Sequence, residues 1–419
     1  MASRSFGSRS TSTVVLGAFP YLLLCLLTVA CQPGTTCGGG AVSPPSPDID
    51  AARDGTASPS PSALFELHPF VDVGIGSENG AAWEETGQAA RPLDLGPGPF
   101  QSVTLHVDLV SACFPFEGWA ANPPPAGQSW PPTCDAFDRN FDLDLDDPLS
   151  DPAPAAAGDA NAVAPPGDPG IDAGASLASA FNVVHAITPF GGPEHLDVDL
   201  TDLANARPGK HRLRVRLQSY ADPAGKVTGS NAGWTVNASV AVVPGAPPRA
   251  VLAAAPLFTT RVSPGDSPPV GAFVVPAGAL AGRIEYRASG HGQGVRDPGC
   301  VGPADEFCTR HHLIRVDGIE VAATDPHRDD CQTLCTLAHD GTADKGFDYC
   351  AENPCGAIAS VRAPRANWCP GSMTAPQIWD AFAAFAAPGP HTFSTEIANI
   401  GQGGSWLVSA TYYAYSSPW

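Results

Sequence analysis

The sequence predicts an all-β protein assembled from sandwiches, on three observations. Apolar residues recur with a period of two along several short runs. Proline and glycine, 45 and 44 residues, punctuate those runs. Helical spacing is confined to one brief segment. Period-two alternation places one face of a strand on a core and the other in water, and many short strands separated by Pro/Gly turns point to sandwiches rather than an α/β enzyme. In chain order, Leu105, Val107 and Leu109 alternate with Thr104, His106 and Asp108. Phe141, Leu143 and Leu145 alternate with Asp142 and Asp144, which reads as a strand with one solvated acidic face. Leu213, Val215 and Leu217 alternate with arginines, and Val236, Ala238, Val240 and Val242 continue the style. Residues 312–321 read as a hairpin, because Asp317-Gly318 supplies the two positive-φ residues of a type I′ turn. Ile378, Phe382 and Phe385 sit at helical spacing, with Pro376 and Pro388 limiting a helix to about three turns. The chain closes on an aromatic, strand-like run from Trp406.

The ends and the composition set the organisation. Arg4 and Arg9 precede an apolar stretch that ends Leu27-Thr28-Val29-Ala30-Cys31. A basic start, an apolar run and small residues at its end make an export signal, and the ending resembles a bacterial lipobox with Cys31 as the lipidated residue. Residues 32–61 lack large side chains to bury and read as a flexible tether. Residues 148–170 read as an inserted low-complexity loop. The expected divisions are signal 1–31, tether 32–61 and sandwiches at 62–247 and 248–419, with the Pro-rich stretch after Val243 between them. A net charge of −20 argues against nucleic acid or an anionic bilayer as partner. No later stretch has the ~20 apolar residues of a spanning helix, so the only membrane attachment expected is the lipid. Of twelve cysteines, Cys25 lies in the signal and Cys31 is the anchor. The ten left read as disulfides in an exported chain. Zinc competes at the close pairs Cys331/Cys335 and Cys350/Cys355, but there is no Cys-x2-Cys unit.

Three clusters carry possible chemistry. The first is Cys134-Asp135-Ala136-Phe137-Asp138-Arg139. The second joins Ser289-Gly290-His291-Gly292 to Asp305-Glu306-Phe307-Cys308-Thr309-Arg310-His311. The third is Arg365-Ala366-Asn367-Trp368-Cys369-Pro370-Gly371, where arginine and an indole suit a sugar. Plainer alternatives are a surface Asp138/Arg139 pair, a solvated Glu306 and a core Trp368.

Taken in order, and with Ile187-Thr188-Pro189-Phe190, the acidic run from Asp197 to Asp202 and Cys350-Ala351-Glu352-Asn353-Pro354, these motifs resemble the peptide-N-glycosidase F family over roughly residues 65–415. The resemblance implies two side-by-side eight-stranded jelly rolls with a cleft between them, and hydrolysis of the amide joining an N-glycan to asparagine. It implies Asp138 as principal catalytic carboxylate, Glu306 as a second acid, and Arg139, Arg365 and Trp368 as substrate-binding residues. It implies disulfides Cys113–Cys134, Cys300–Cys308 and Cys350–Cys369, and leaves Cys37, Cys331, Cys335 and Cys355 unassigned. No metal or cofactor is implied. An N-glycoprotein or N-glycopeptide is the expected partner of a monomer.

The chain departs from the family at Gln218, where the reading of the Arg212–Tyr220 strand expects a third acid, and at Phe137 and Phe307, which replace tryptophan. Glutamine carries no charge and takes no proton, so slow cleavage with retained glycan binding is expected. Glu194 and Glu285 are the first alternatives for the missing acid. A non-catalytic glycan- or protein-binding surface lipoprotein is the alternative function. A copper-dependent monooxygenase is a further one by fold relationship alone, without a His-x-His pair or Met-rich site to support it. Gln32 after the cysteine implies sorting to the outer membrane of a Gram-negative cell. Replacing Cys31 by serine is expected to abolish lipid labelling and move the protein out of the membrane fraction. Attachment that survives the change would defeat the lipobox reading.

Overall fold

Among the described residues twenty strands carry the fold, and nine of them precede the Pro-rich stretch: β1 Phe65–Gly76, β2 Glu85–Thr86, β3 Gln88–Asp94, β4 Phe100–Val110, β5 Asn140–Asp146, β6 Ala180–Ile187, β7 Glu194–Asp199, β8 Lys210–Leu217 and β9 Gly233–Pro244. After it come β10 Val251–Val262, β11 Val270–Val275, β12 Ala281–Gly292, β13 His312–Val316, β14 Ile319–Thr324, β15 Leu337–Asp340, β16 Phe347–Cys350, β17 Ser372–Met373, β18 Gln377–Trp379, β19 Gly389–Ile397 and β20 Gly404–Tyr415. The computed structural model describes residues 64–76, 85–127, 130–146, 180–217, 233–292, 300–302, 304–341, 347–380, 385 and 387–418. All belong to the unit Pro59–Trp419. The export signal, Cys31, Cys37, the tether, the 148–170 insertion, Phe382 and Gln218 lie outside the described residues. Among the described residues no helix is long and apolar enough to cross a membrane.

The topology is a jelly roll used twice. One sheet runs β2-β1-β9-β4-β7 and faces β17-β6-β5-β8-β3; the later half stacks β10-β20-β12-β18 on β11-β19-β13-β14. Setting aside β2 and β17 at the sheet edges and the separate β15–β16 hairpin, eight strands remain in each half, and both halves have the order 1-8-3-6 over 2-7-4-5. The alternation read from sequence fills the cores. Leu105, Val107, Leu109, Leu213, Val215, Leu217, Val236 and Val240 are all fully buried in the first core. Phe273, Ile284, Tyr286, Ile314, Trp406 and Tyr412 are buried in the second. Asp317 and Gly318 have φ of 51° and 77°, as the hairpin between β13 and β14 requires.

Three expectations need correction. Residues 377–379 form a strand against β12, with Ile378 half exposed, because the register Ile284↔Trp379 claims the backbone that a helix would have used. Asp142 and Asp144 are buried, not solvated. The face of β5 opposite the first core is covered by the second sandwich, so every residue from Phe141 to Leu145 is enclosed. The third correction is the pairing Cys350–Cys369. The bonds found are Cys113–Cys134, Cys300–Cys308, Cys331–Cys369 and Cys335–Cys350. The β15–β16 register pairs Leu337 with Cys350, which carries Cys335 to Cys350, while the Arg328↔Arg365 bridge carries Cys331 toward Cys369. Cys355 remains a thiol, with its pKa pushed up to about 12 by burial and by the charge of Asp135. Peptide mapping without reduction is expected to recover Cys331–Cys369 and Cys335–Cys350 links. Recovery of a Cys350–Cys369 link would overturn this pairing.

Candidate active site

Disulfides anchor the loops that carry the candidate residues. Asp138 follows Cys134 by four positions, Glu306 sits inside the eight-residue separation closed by Cys300–Cys308, and Arg365 and Trp368 precede Cys369. Beneath Glu306, buried Asp305 accepts hydrogen bonds from Arg310 and from the Gly401 N–H. The Ala366 N–H donates to the Glu306 carbonyl at 2.8 Å, which binds the second and third clusters together.

Arg365 is the hub of this assembly. It is 1% exposed, its Nη1 donates to Glu306 Oε1 at 3.0 Å, and its Nη2 donates to the Ser360 carbonyl and hydroxyl. Its guanidinium lies over the rings of Phe307 and Trp368, at 4.6 and 4.3 Å. A charge-assisted bond made inside an aromatic box fixes Glu306, whose side chain keeps 28% exposure. Asp138 is half-buried, and its pKa is pushed up to about 7. Burial is the main cause and the Glu306 charge adds to it, while Arg365 and Arg139 oppose both. Asp138 is therefore divided between its acid and base forms near neutrality.

The other expected binding residues are placed differently. Arg139 does not pair with Asp138: its Nε donates to both Asp135 oxygens, at 3.1 and 3.0 Å, in a largely buried bridge. Trp368 is 1% exposed, so no sugar can stack on it. It packs against His291 and donates its indole N–H to the Gly290 carbonyl at 2.7 Å. The plainer alternative, a core tryptophan, holds for this residue: it supports Arg365. Gly290 is required at this contact, because a Cβ there would lie 2.6 Å from the Ala366 Cβ. The last described rung between β5 and β8 pairs Phe141 with Leu217, next to the undescribed Gln218. Glu194 faces the first core, and burial pushes its pKa up to about 8; Glu285 sits between Arg283 and Arg287. The charges acting most on Asp138 are those of Arg365, Glu306 and Arg139.

Sequence reasoning missed a polar chain that crosses between the sandwiches. Asp142 Oδ1 meets His185 Nδ1 at 2.8 Å, and His185 Nε2 meets Ser289 Oγ at 2.6 Å. Ser289 Oγ in turn meets His291 Nε2 at 2.6 Å. Burial depresses the His291 pKa, and the His185 and Arg261 charges depress it further. Burial raises the Asp142 pKa, but Arg216 and His185 more than reverse this and hold it ionised. Ser289 is fully buried, so this Asp–His–Ser set admits no acyl substrate. The available signal was polar Asn182 and His185 on a strand opposite Asp142 and Asp144. A second missed feature is a cluster of rings, in which Phe116 contacts Phe114, Trp119, Phe347 and Tyr349, fastening the loop after Cys113 to the β15–β16 hairpin.

The comparisons with known proteins agree with this architecture. Residues 266–413 match the family model described as peptide-N-glycosidase F, C terminal. PNGase F, a glycosylasparaginase from Flavobacterium meningosepticum, is similar at TM-score 0.56 and 13% identity, over 85% of this chain and 97% of that one. A structure of peptide-N(4)-(N-acetyl-β-D-glucosaminyl) asparagine amidase gives 0.55 and 13% over the same shares. PNGF-II gives 0.53 and 16%, over 84% of this chain and 65% of that one. No curated protein matches the sequence. The chain is peptide-N-glycosidase F-like in fold throughout the double jelly roll and in sequence across most of the second half.

The environment of Asp138 has a consequence for stability. Its folded pKa lies above the unfolded value of 3.8, so the folded protein holds the proton more tightly. The associated stability is present in full below pH 4 and is lost as pH rises through 7. Asp138→Asn should therefore unfold at higher denaturant concentration than the parent at pH 8, with the difference shrinking toward pH 4. A pH-independent difference would place the Asp138 carboxyl in water.

Proposed function

We propose that the protein hydrolyses the amide bond between an N-glycan and asparagine in glycoproteins or glycopeptides. The observation that carries this reading is Asp138, a carboxyl with its pKa near 7 and under the opposed influence of Glu306 and Arg365. Water adding to the side-chain amide carbonyl must lose a proton, and the departing glycosylamine nitrogen must gain one. A carboxyl poised at neutrality accepts the first and returns the second, and such proton transfer contributes ~10²–10⁴ in rate. Glu306, held through one oxygen by Arg365, keeps its other oxygen available to orient water or a sugar hydroxyl. Arg365 acts through Glu306 and is a positioning residue. No metal takes part in this scheme. The expected setting is an exported, lipid-anchored monomer on the outer membrane, which suits a substrate outside the cell.

The uncharged Gln218 favours the second reading, a glycan-binding lipoprotein on the same scaffold. Release of glycan from a denatured N-glycoprotein separates the two. Under the amidase reading the parent releases glycan, Asp138→Asn lowers turnover by ~10²–10⁴, and Glu306→Gln lowers it less. A parent that binds glycopeptide without cleaving it would establish the binder. Equal turnover in the parent and Asp138→Asn would remove Asp138 from the chemistry.

A further inference from the structure

The outer face of the first sandwich carries a second cluster of reactive side chains, on a different sheet from Asp138. Strands β4 and β7 pair antiparallel, with His106 opposite Asp197 and Asp108 opposite His195. Leu105, Val107, Leu109, Leu196 and Val198 turn inward, so these four polar residues share the outward face. Asp197 Oδ1 lies 2.6 Å from His106 Nδ1 and 3.2 Å from His195 Nε2. The three atoms are within 4.8 Å of one another. The remaining nitrogen of His195, Nδ1, meets Asp108 Oδ1 at 2.7 Å.

We propose that His106 Nδ1, His195 Nε2 and Asp197 Oδ1 bind a zinc ion, with Asp108 orienting His195. Asp108 takes the Nδ1 proton of His195 in a hydrogen bond and leaves the Nε2 lone pair directed at Asp197 and His106. That is the carboxylate–histidine arrangement that fixes the tautomer of a metal-binding imidazole. Two imidazoles and one carboxylate suit zinc, with ligand bonds of ~2.0–2.2 Å and a fourth position for water. Hard cations such as calcium take oxygen ligands instead. The ladder fixes the four Cα positions, and closing the ligands on an ion requires only small movements of exposed side chains. Other exposed His–Asp contacts are simple pairs, as in His311–Asp325 and His339–Asp348. Among the described residues, only here does one carboxylate oxygen face two imidazoles while one of those rings is held by a second carboxylate. The other two groups with ligand-like spacing contain disulfide sulfurs, which supply no thiolate. The bound ion would clamp edge strand β7 to β4. This inference does not depend on the amidase reading.

The test uses the exported chain without a polyhistidine tag, titrated with zinc chloride by calorimetry at pH 7.5 and monitored by thermal unfolding. One zinc per chain and a rise in unfolding temperature are expected, because a ligand of the native state stabilises it. Calcium and magnesium should produce neither. His106→Ala and His195→Ala should each weaken binding at least tenfold, and Asp108→Asn by roughly 10–100-fold. Absence of saturable zinc binding by the parent would overturn the proposal without reference to any variant. Binding unchanged in both histidine variants would overturn it as well, and unchanged affinity in Asp108→Asn would remove the orienting role of Asp108.

Discussion

Burying Asp142 and Asp144 between two sandwiches obliges the chain to set Arg216, Asn182 and His185 against them. Arg216 donates to Asp144 at 2.6 Å and lies 3.4 Å from Asp142, while Asn182 reaches both carboxylates at 3.1 Å. Breaking a buried pair of this kind by removing one partner typically costs about 3–5 kcal/mol, because it strands a charge out of water. The same layer continues into the second sandwich through His185–Ser289, Ser409–Asn182 and Arg287 to the Asn182 carbonyl. Apolar packing alone is tolerant of sliding. A satisfied polar layer is directional, and it holds the second sandwich in one register against the first. The position of Asp138 relative to Glu306 and Arg365 depends on that register.

On top of the rigid join, loops supply the candidate groups and disulfides limit their freedom. Closing separations of 21, 8, 38 and 15 residues constrains the unfolded chain by roughly 2–4 kcal/mol each. Short strand β17 adds a further tie: it belongs to the later half of the chain, yet Ser372 and Met373 pair with Ile187 and Ala186 of β6. Arg365 thus stands on a segment held to both sandwiches. Its aromatic box excludes water from the side of the guanidinium that does not face Glu306, which strengthens the ion pair and the field felt by Asp138.

Much of this was legible in one dimension wherever a local rule governed the outcome. Alternation located β4, β8 and β9, the Asp-Gly pair located the turn after β13, and Asp138, Glu306 and Arg365 were visible as motifs. Two of the failures share one cause, which is burial by a distant partner. Sequence treated the acidic side of β5 as wet because nothing local covers it. It opened Trp368 to a ligand because an indole beside an arginine suits a sugar, whereas His291, 77 residues earlier and brought in by β12, occupies that space.

Sequence by itself determined the strand periods, the turn and the class of fold, and it brought Asp138 and Glu306 forward as candidates, since these follow from side-chain alternation and residue chemistry within a few positions. Tertiary structure decided which cysteines bond, which arginine meets which acid, and that Asp138 titrates near neutrality. Those outcomes depend on distances across the chain and on how much water two packed sandwiches exclude, and neither quantity exists until the strands are in register.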